Sequence, residues 1–209
     1  MNDTVKTFFD NKTDKFCQIY KNPNLIDRIF RKSVLARFEK TFLECRANNY
    51  QSVLDIGCGS ALLAIKLVQA GMDVVGVDFS EEMVKTANSI YVDKDTSGKL
   101  EIKHADFANF DAGRRFDAVI ALGFFDYIAN PEVSLKKMFG LAKKEVIVSF
   151  PAAEDILSIQ RKIRYLIFKK CPVYFYKKKQ IERLVADCGF SDFKLTRVYR
   201  DYLLLGYLK

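Results

Sequence analysis

Two aspartates and two glycines hold the spacing in this sequence that could do chemistry. Asp55, Gly57 and Gly59 stand in "QSVLDIGCGSALLAIKLVQAG", which begins at Gln51, and Asp78 closes "DVVGVD". An apolar run, a glycine turn and a helical apolar pattern follow one another in the first stretch, which predicts strand, turn and helix. Such a turn sets the backbone N–H groups of Gly57–Ser60 at a helix N-terminus, and glycine lets a ligand come close to the backbone. A nucleotide-like ligand fits that place. An acid at the end of the next strand, about 20 residues on, is placed to accept hydrogen bonds from a ribose diol. The dinucleotide fingerprint G-x-G-x-x-G needs a third glycine at position 62, where Leu62 stands. Asp55 narrows the ligand further: a carboxylate beside the turn repels a pyrophosphate and suits an ammonium or a sulfonium. Both residues disfavour a nicotinamide dehydrogenase. The plain alternative for "DIGCG" alone is a tight strand–helix turn with a capping acid.

The elements that must position these residues are legible in the hydrophobic pattern. Residues 1–49 read as two or three short helices, with Ile26, Ile29, Phe30, Val34, Phe38 and Phe42 at helical spacing. "SVLDIG" is a strand, and "ALLAIKLVQAG" a helix stopped by Gly71. "DVVGVD" is the second strand, and "SEEMVKTANSIY" a helix with Ser80 as N-cap and acids in its first turn. "LEIKHAD" is a short, half-exposed third strand. "FDAVIALGFF" is apolar throughout, as a strand buried on both faces must be. "NPEVSLKKMFGLA" opens with Asn130 as cap before Pro131, and "KEVIVSFP" is a fifth strand. Residues 152–177 read as a basic, aromatic-rich helical segment. "KKQIERLVADCGF" is an amphipathic helix, and "FKLTRVY" with "YLLLGYLK" an antiparallel closing pair. This alternation predicts an α/β fold with a doubly wound, mostly parallel sheet and helices on both faces.

The quoted stretches "VLDIGCGSA", "VVGVDFSEEM", "HADF" and "FDAVIALGFFDYI", in this order, resemble the motifs of class I S-adenosylmethionine-dependent methyltransferases. The resemblance covers about residues 51–150 and, more loosely, the closing elements. It implies a seven-stranded sheet whose last strand is antiparallel and inserted near the edge. It implies S-adenosyl-L-methionine as cofactor and S-adenosyl-L-homocysteine as product. By it, Gly57 and Gly59 pass the methionine moiety, with Asp55 near its charged end. Asp78 holds the ribose, Phe79 and Met83 pack near the adenine, Asp106 faces the adenine amino group beside Phe107, and Leu122 borders the methionyl part. Phe79, Met83 and Phe107 could equally be core, and Asp106 could cap the next turn. The N-terminal "FFDNKTDKFCQIY" looks like a helix that covers the cofactor, with Tyr20 or Phe9 closing over it. Asp126 and Tyr127, after the fourth strand, are the catalytic candidates, against a helix cap and an aromatic lid. His104, the single histidine, reads as structural or surface. On this view residues 1–209 are one domain: a helical cap (1–49), a cofactor core (50–151), a substrate lid (152–177) and a closing helix with strands (178–209).

Charge and composition bound the acceptor. The net charge is +8, and Arg161, Lys162, Arg164, Lys169, Lys170 and Lys177–Lys179 equal that excess with no acid among them. Such a patch suits an anionic or amphipathic small molecule, an anionic membrane surface or nucleic acid, or is merely a solubilising face. The leading function is methyl transfer to a small-molecule acceptor, on a carboxylate or hydroxyl oxygen. Base N-methyltransferases often carry [DN]-P-P-[FY] after the fourth strand, where this chain has "LGFFDY", which disfavours nucleic acid. An RNA methyltransferase using residues 161–179 and a non-catalytic cofactor-binding partner protein are the alternatives. Five cysteines without a C-x-x-C pair argue for a reducing cytoplasm and against a disulfide framework or a bound metal. The polar, mixed-charge N-terminus does not read as a signal peptide.

Overall fold

Seven strands pair in the order β3-β2-β1-β4-β5-β7-β6. They are β1 (Ser52–Ile56), β2 (Asp73–Asp78), β3 (Leu100–His104), β4 (Phe116–Ala121), β5 (Ala142–Pro151), β6 (Phe193–Val198) and β7 (Asp201–Tyr207). The computed structural model describes residues 25–91, 98–154 and 172–208. Neighbours from β3 to β5 run parallel, whereas β7 lies antiparallel between β5 and β6. The expected reversed strand near the edge is therefore present. β4 is buried at every position, as its unbroken apolar run requires at the sheet centre. The edge strand β3 alternates between half-buried and exposed residues.

Helices cover both faces. Phe42 and Cys45 of α1 (Leu25–Ala47), Leu63 and Leu67 of α2 (Leu62–Gln69) and Ala87 of α3 (Glu81–Ile90) pack on one face. Leu135 and Met138 of α4 (Pro131–Leu141) and Ile181 and Val185 of α5 (Lys178–Asp187) pack on the other. Of residues 1–49, expected to hold two or three helices, 25–47 form one helix of 23 residues, with no proline or glycine to interrupt it, and 1–24 lie outside the described residues. Ser80 caps α3 as expected, its Oγ accepting from Met83 N–H at 3.3 Å. Asn130 makes no such side-chain bond, and the first turn of α4 is set by Pro131 instead. Residues 172–177 are also not helical. They run extended beside the end of β5, where Tyr176 N–H donates to the Pro151 carbonyl (2.8 Å) and Ala153 N–H to the Tyr176 carbonyl (2.9 Å). The consecutive β-formers Val173, Tyr174, Phe175 and Tyr176 favour an extended strip over a helix. Five of the basic residues, from Arg161 to Lys170, fall outside the described residues, as do Phe9 and Tyr20.

A polar stripe on α1 crosses the apolar interface. Ser33 and Arg37 lie one turn apart, both buried. Ser33 Oγ donates to Asp201 Oδ2 at 2.7 Å, and Arg37 Nη1 lies 3.4 Å from the same oxygen. Arg37 Nη1 also donates to Ser149 Oγ at 2.9 Å. The cluster joins the first described helix to the ligand-side ends of β5 and β7.

At the opposite end of the sheet, Glu145 is fully buried, and Tyr50 Oη donates to its Oε2 at 2.9 Å. Burial raises the Glu145 carboxyl from 4.5 to about 7, the Tyr50 hydrogen bond opposes this, and Glu44 adds to it. The native state therefore holds a proton that the unfolded chain has lost, and stability falls as pH rises from about 4.5 to 7. Replacing Glu145 with Gln is expected to flatten that part of the profile. Urea melts at pH 5 and pH 8 check it: the wild type should lose more stability than the variant between the two.

Candidate active site

The parallel strands bring their carboxyl ends to one edge. Asp55 pairs in register with Gly76 of β2 and Ile120 of β4, and Asp78 with His104 of β3. Asp55, Gly57, Gly59, Asp78, Phe79, Asp106, Phe107 and Leu122 therefore gather along that edge, as a doubly wound sheet arranges its ligand cleft.

Gly57 and Gly59 both have positive φ, 69° and 54°, a conformation that favours glycine. A side chain at Gly59 would meet nothing within 4 Å, so the backbone there borders open space. The expected row of ligand-facing N–H groups is not what forms. Gly57 and Cys58 N–H both donate to the Val77 carbonyl, at 2.8 and 3.2 Å, and Gly59 N–H donates to Asp78 Oδ2 at 2.8 Å. Three of the turn's donors are spent on β2. The turn thus offers shape and close approach more than donors.

Asp78 is correspondingly busy. Its other oxygen, Oδ1, accepts from Ser80 N–H at 2.9 Å. A carboxylate has about four lone-pair sites, and backbone N–H groups of Gly59, Ser80 and Phe79 take three of them, which leaves about one for a ligand. Burial raises the Asp78 carboxyl, and the N–H groups of Ser80, Gly59 and Phe79 pull it back down. His104 meets the Phe79 carbonyl at 3.1 Å through Nε2, which agrees with the structural reading of that histidine.

Asp55 is 4% exposed. Burial first, and then the charge of Asp78, raises its carboxyl from 3.8 to about 7. Two acids crowded into one corner favour either a proton on one of them or a cation between them. That corner, beside open glycine backbone, fits a positively charged nucleoside and would oppose a pyrophosphate.

Asp106 Oδ1 accepts from Ala108 N–H at 3.0 Å, so it also caps its own turn. Met83 and Phe107 are 4% and 3% exposed. Lys137 of α4 donates to the Phe107 and Ala108 carbonyls at 2.7 and 3.0 Å and holds that loop down. After β4, Gly123 N–H donates to Ser149 Oγ at 2.8 Å, which ties the Arg37 cluster to this turn. Asp126 is buried and Tyr127 half-buried in the same turn, several residues before α4 begins, so neither caps a helix. The Asp126 carbonyl accepts from Tyr174 N–H at 2.8 Å. Tyr176 Oη reaches the Phe125 and Ile128 carbonyls at 3.3 and 3.4 Å. Residues 174–176 are thereby fastened to the loop that carries Asp126 and Tyr127. Among the described residues no cluster of His, Cys, Asp and Glu could hold a metal, and no helix is long and apolar enough to cross a membrane.

Three contributors escaped the motif reading. Ser149 interrupts the apolar run "KEVIVSFP", and that interruption was a usable signal. Phe124 lies inside "FDAVIALGFF", where an aromatic reads as strand. Gly76 sits mid-strand under Cys58, and only packing reveals why.

Comparison with known proteins agrees with this geometry. A family model described as a methyltransferase domain matches residues 53–145. The chain is 32% identical over 162 residues to the magnesium-protoporphyrin O-methyltransferase of Synechocystis sp., covering 73% of this chain and 70% of that protein. It is 33% identical over 115 residues to the mitochondrial ubiquinone biosynthesis O-methyltransferase of Arabidopsis thaliana, covering 54% of this chain and 35% of that one. The fold is similar to the crystal structure of magnesium protoporphyrin IX methyltransferase from Synechocystis with bound SAH, at a TM-score of 0.82 and 24% identity over the whole of both chains.

The fit of Cys58 on Gly76 is open to direct test. A methyl added at Gly76 would lie 3.0 Å from Cys58 Sγ and 3.3 Å from its Cβ. Gly76→Ala is expected to cost about 1–3 kcal/mol through overpacking. Adding Cys58→Ala to that variant should recover most of the loss, as read from the melts of a double-mutant cycle.

Proposed function

This chain belongs to the class I S-adenosylmethionine-dependent methyltransferases, and on that footing we propose that it methylates an oxygen of a small, largely apolar acceptor bearing a carboxylate or hydroxyl. The observation that carries the cofactor assignment is the buried Asp55–Asp78 pair beside an open glycine turn. Two relatives whose names carry O-methyltransferase, acting on a magnesium porphyrin and in ubiquinone biosynthesis, support oxygen as the nucleophile. The half-buried aromatics Phe124, Tyr127, Tyr174, Phe175 and Tyr176 support a flat apolar acceptor, and the exposed Lys177–Lys179 beside them support an anionic one.

S-adenosylmethionine, when bound, supplies a methyl carbon on a sulfonium, which is left as a neutral thioether when the acceptor oxygen forms the new C–O bond. The chain's own contribution is to bind, orient and exclude water. Asp55 balances the positive charge near the methionine end. Asp78 accepts from a ribose hydroxyl with the lone pair that the N–H groups of Gly59, Ser80 and Phe79 leave unused. Asp106 and the Phe107 backbone receive the adenine, between the flanks of Phe79 and Met83. Gly57, Gly59 and Leu122 border the methionyl part. A carboxylate acceptor needs no base, so Asp126 and Tyr127 serve chiefly to orient it; for a hydroxyl acceptor, Asp126 takes the proton. Holding the two reacting atoms in line can lower the barrier by about 7–11 kcal/mol.

Methyl-labelled cofactor incubated with the chain and a cell extract tests this reading. The label is expected in an organic-extractable small molecule. Release as methanol in mild base marks a carboxyl ester, a base-stable label cleaved by boron tribromide marks an ether, and a label that resists both overturns oxygen as the nucleophile. Label recovered in ribonuclease-sensitive material would instead favour RNA as the acceptor. Cofactor binding with no labelled product from any extract would favour a partner protein without turnover.

The Asp55 carboxyl gives a second test. Its folded value lies near 7, and a cation beside it stabilises the charged form, so taking up a cation releases a proton. Affinity for the sulfonium cofactor is expected to rise as pH goes from 6 to 8. The product keeps the α-ammonium and loses only the sulfonium charge, so the difference between the two pH dependences reads the sulfonium's share. Calorimetry in buffers of different ionisation enthalpy counts the proton directly.

A further inference from the structure

Phe124 is held in place yet half-exposed, and its neighbours explain both. On one side Gly123 N–H is bonded to Ser149 Oγ at 2.8 Å. On the other, Phe125 is fully buried and stacks on Phe150 with ring centroids 4.6 Å apart. The Phe124 carbonyl accepts from Tyr127 N–H at 3.2 Å. The backbone at this residue is thus pinned on both flanks.

The ring itself bridges two parts of the cleft. Its Cδ2 lies 3.5 Å from where a side chain at Gly57 would begin, so it rests against the glycine turn. It also meets Phe107 edge-to-face, with centroids 5.9 Å apart at 88°. Gly57 borders the methionine end of the cleft and Phe107 the adenine end. An aromatic ring spanning them, with part of its surface uncovered, lies where the middle of a bound nucleoside must pass. Leaving such a surface bare in water has a cost, and covering it on binding contributes affinity.

We propose that Phe124 is a cofactor-binding residue whose ring forms the wall between the glycine turn and the loop after β3, covered by the thioribosyl part of S-adenosylmethionine. The inference rests on the methyltransferase reading above and adds a residue to its site. A methyl at Gly57 would rest in ordinary contact with the ring, so the positive φ is what favours glycine there.

The experiment uses the product S-adenosylhomocysteine as probe, with calorimetry on the full chain. Phe124→Ala is expected to weaken binding on the order of tenfold, and Phe124→Leu, which keeps more bulk, by less. Thermal melts establish that each variant is folded, and the leucine variant decides the matter if the alanine variant is not. Because the chain has no tryptophan, Phe124→Trp places a single indole in the wall, and its emission should shift as the probe binds. An affinity within twofold of wild type in the folded truncated variant overturns the inference. A wild-type chain that ignores the probe sinks the cofactor reading itself, so the two failures are distinguishable.

Discussion

The Asp78 carboxylate is the stitch on which the cleft depends. One oxygen holds Gly59 N–H of the turn after β1, and the other holds Ser80 N–H at the start of α3. Neighbouring parallel strands come together only through long crossovers, so their ends have no covalent reason to stay in register. A buried, charge-assisted pair of hydrogen bonds supplies that reason at the point where a ligand must fit. The Val77 carbonyl, accepting from Gly57 and Cys58, reinforces it from the same strand. Cys58 then settles over Gly76, so the turn is fixed by bonding and by shape together. The crowding that raises Asp55 follows from this arrangement, because the stitch places its own charge beside a second acid.

A second polar cluster does for β4 what Asp78 does for β1 and β2. Ser149 Oγ accepts from both Arg37 Nη1 and Gly123 N–H. Buried ion pairs are weak evidence for stability, since desolvation offsets attraction. Their value here is positional. Arg37 sets Ser149, Ser149 sets Gly123, and Gly123 sets the turn that presents Phe124, Asp126 and Tyr127. Tyr174 and Tyr176 add their own hold on that turn.

The order of elements was legible because parallel strands buried on both faces leave apolar runs, and because glycines and caps punctuate them; the reversed strand near the edge was implied by the family resemblance. Asp55, Gly57, Gly59 and Asp78 were legible by type and spacing. What those groups bond to was not. The turn's N–H groups were expected to face a ligand, yet three of them face β2, a choice made by strand register. The stretch 172–177 was read as helix from its composition, whereas pairing with β5 draws it out straight. Phe124 was hidden because an apolar residue at the end of an apolar strand carries no mark of its exposure. Ser149 and Arg37 lie far apart in sequence, and only the sheet brings them together.

The bond from Ser33 to Asp201 spans 168 positions. During synthesis the polar stripe of α1 emerges well before its partner on β7, which is made 168 positions later. Until then a guanidinium destined for burial stays in water, and the turn after β4 lacks its brace. Long-range closures of this kind form late and slowly. Completion of this cluster is thereby deferred until β7 has been made, and a nascent chain that stops short of β7 carries every glycine and aspartate of the motif without the whole frame that aligns them.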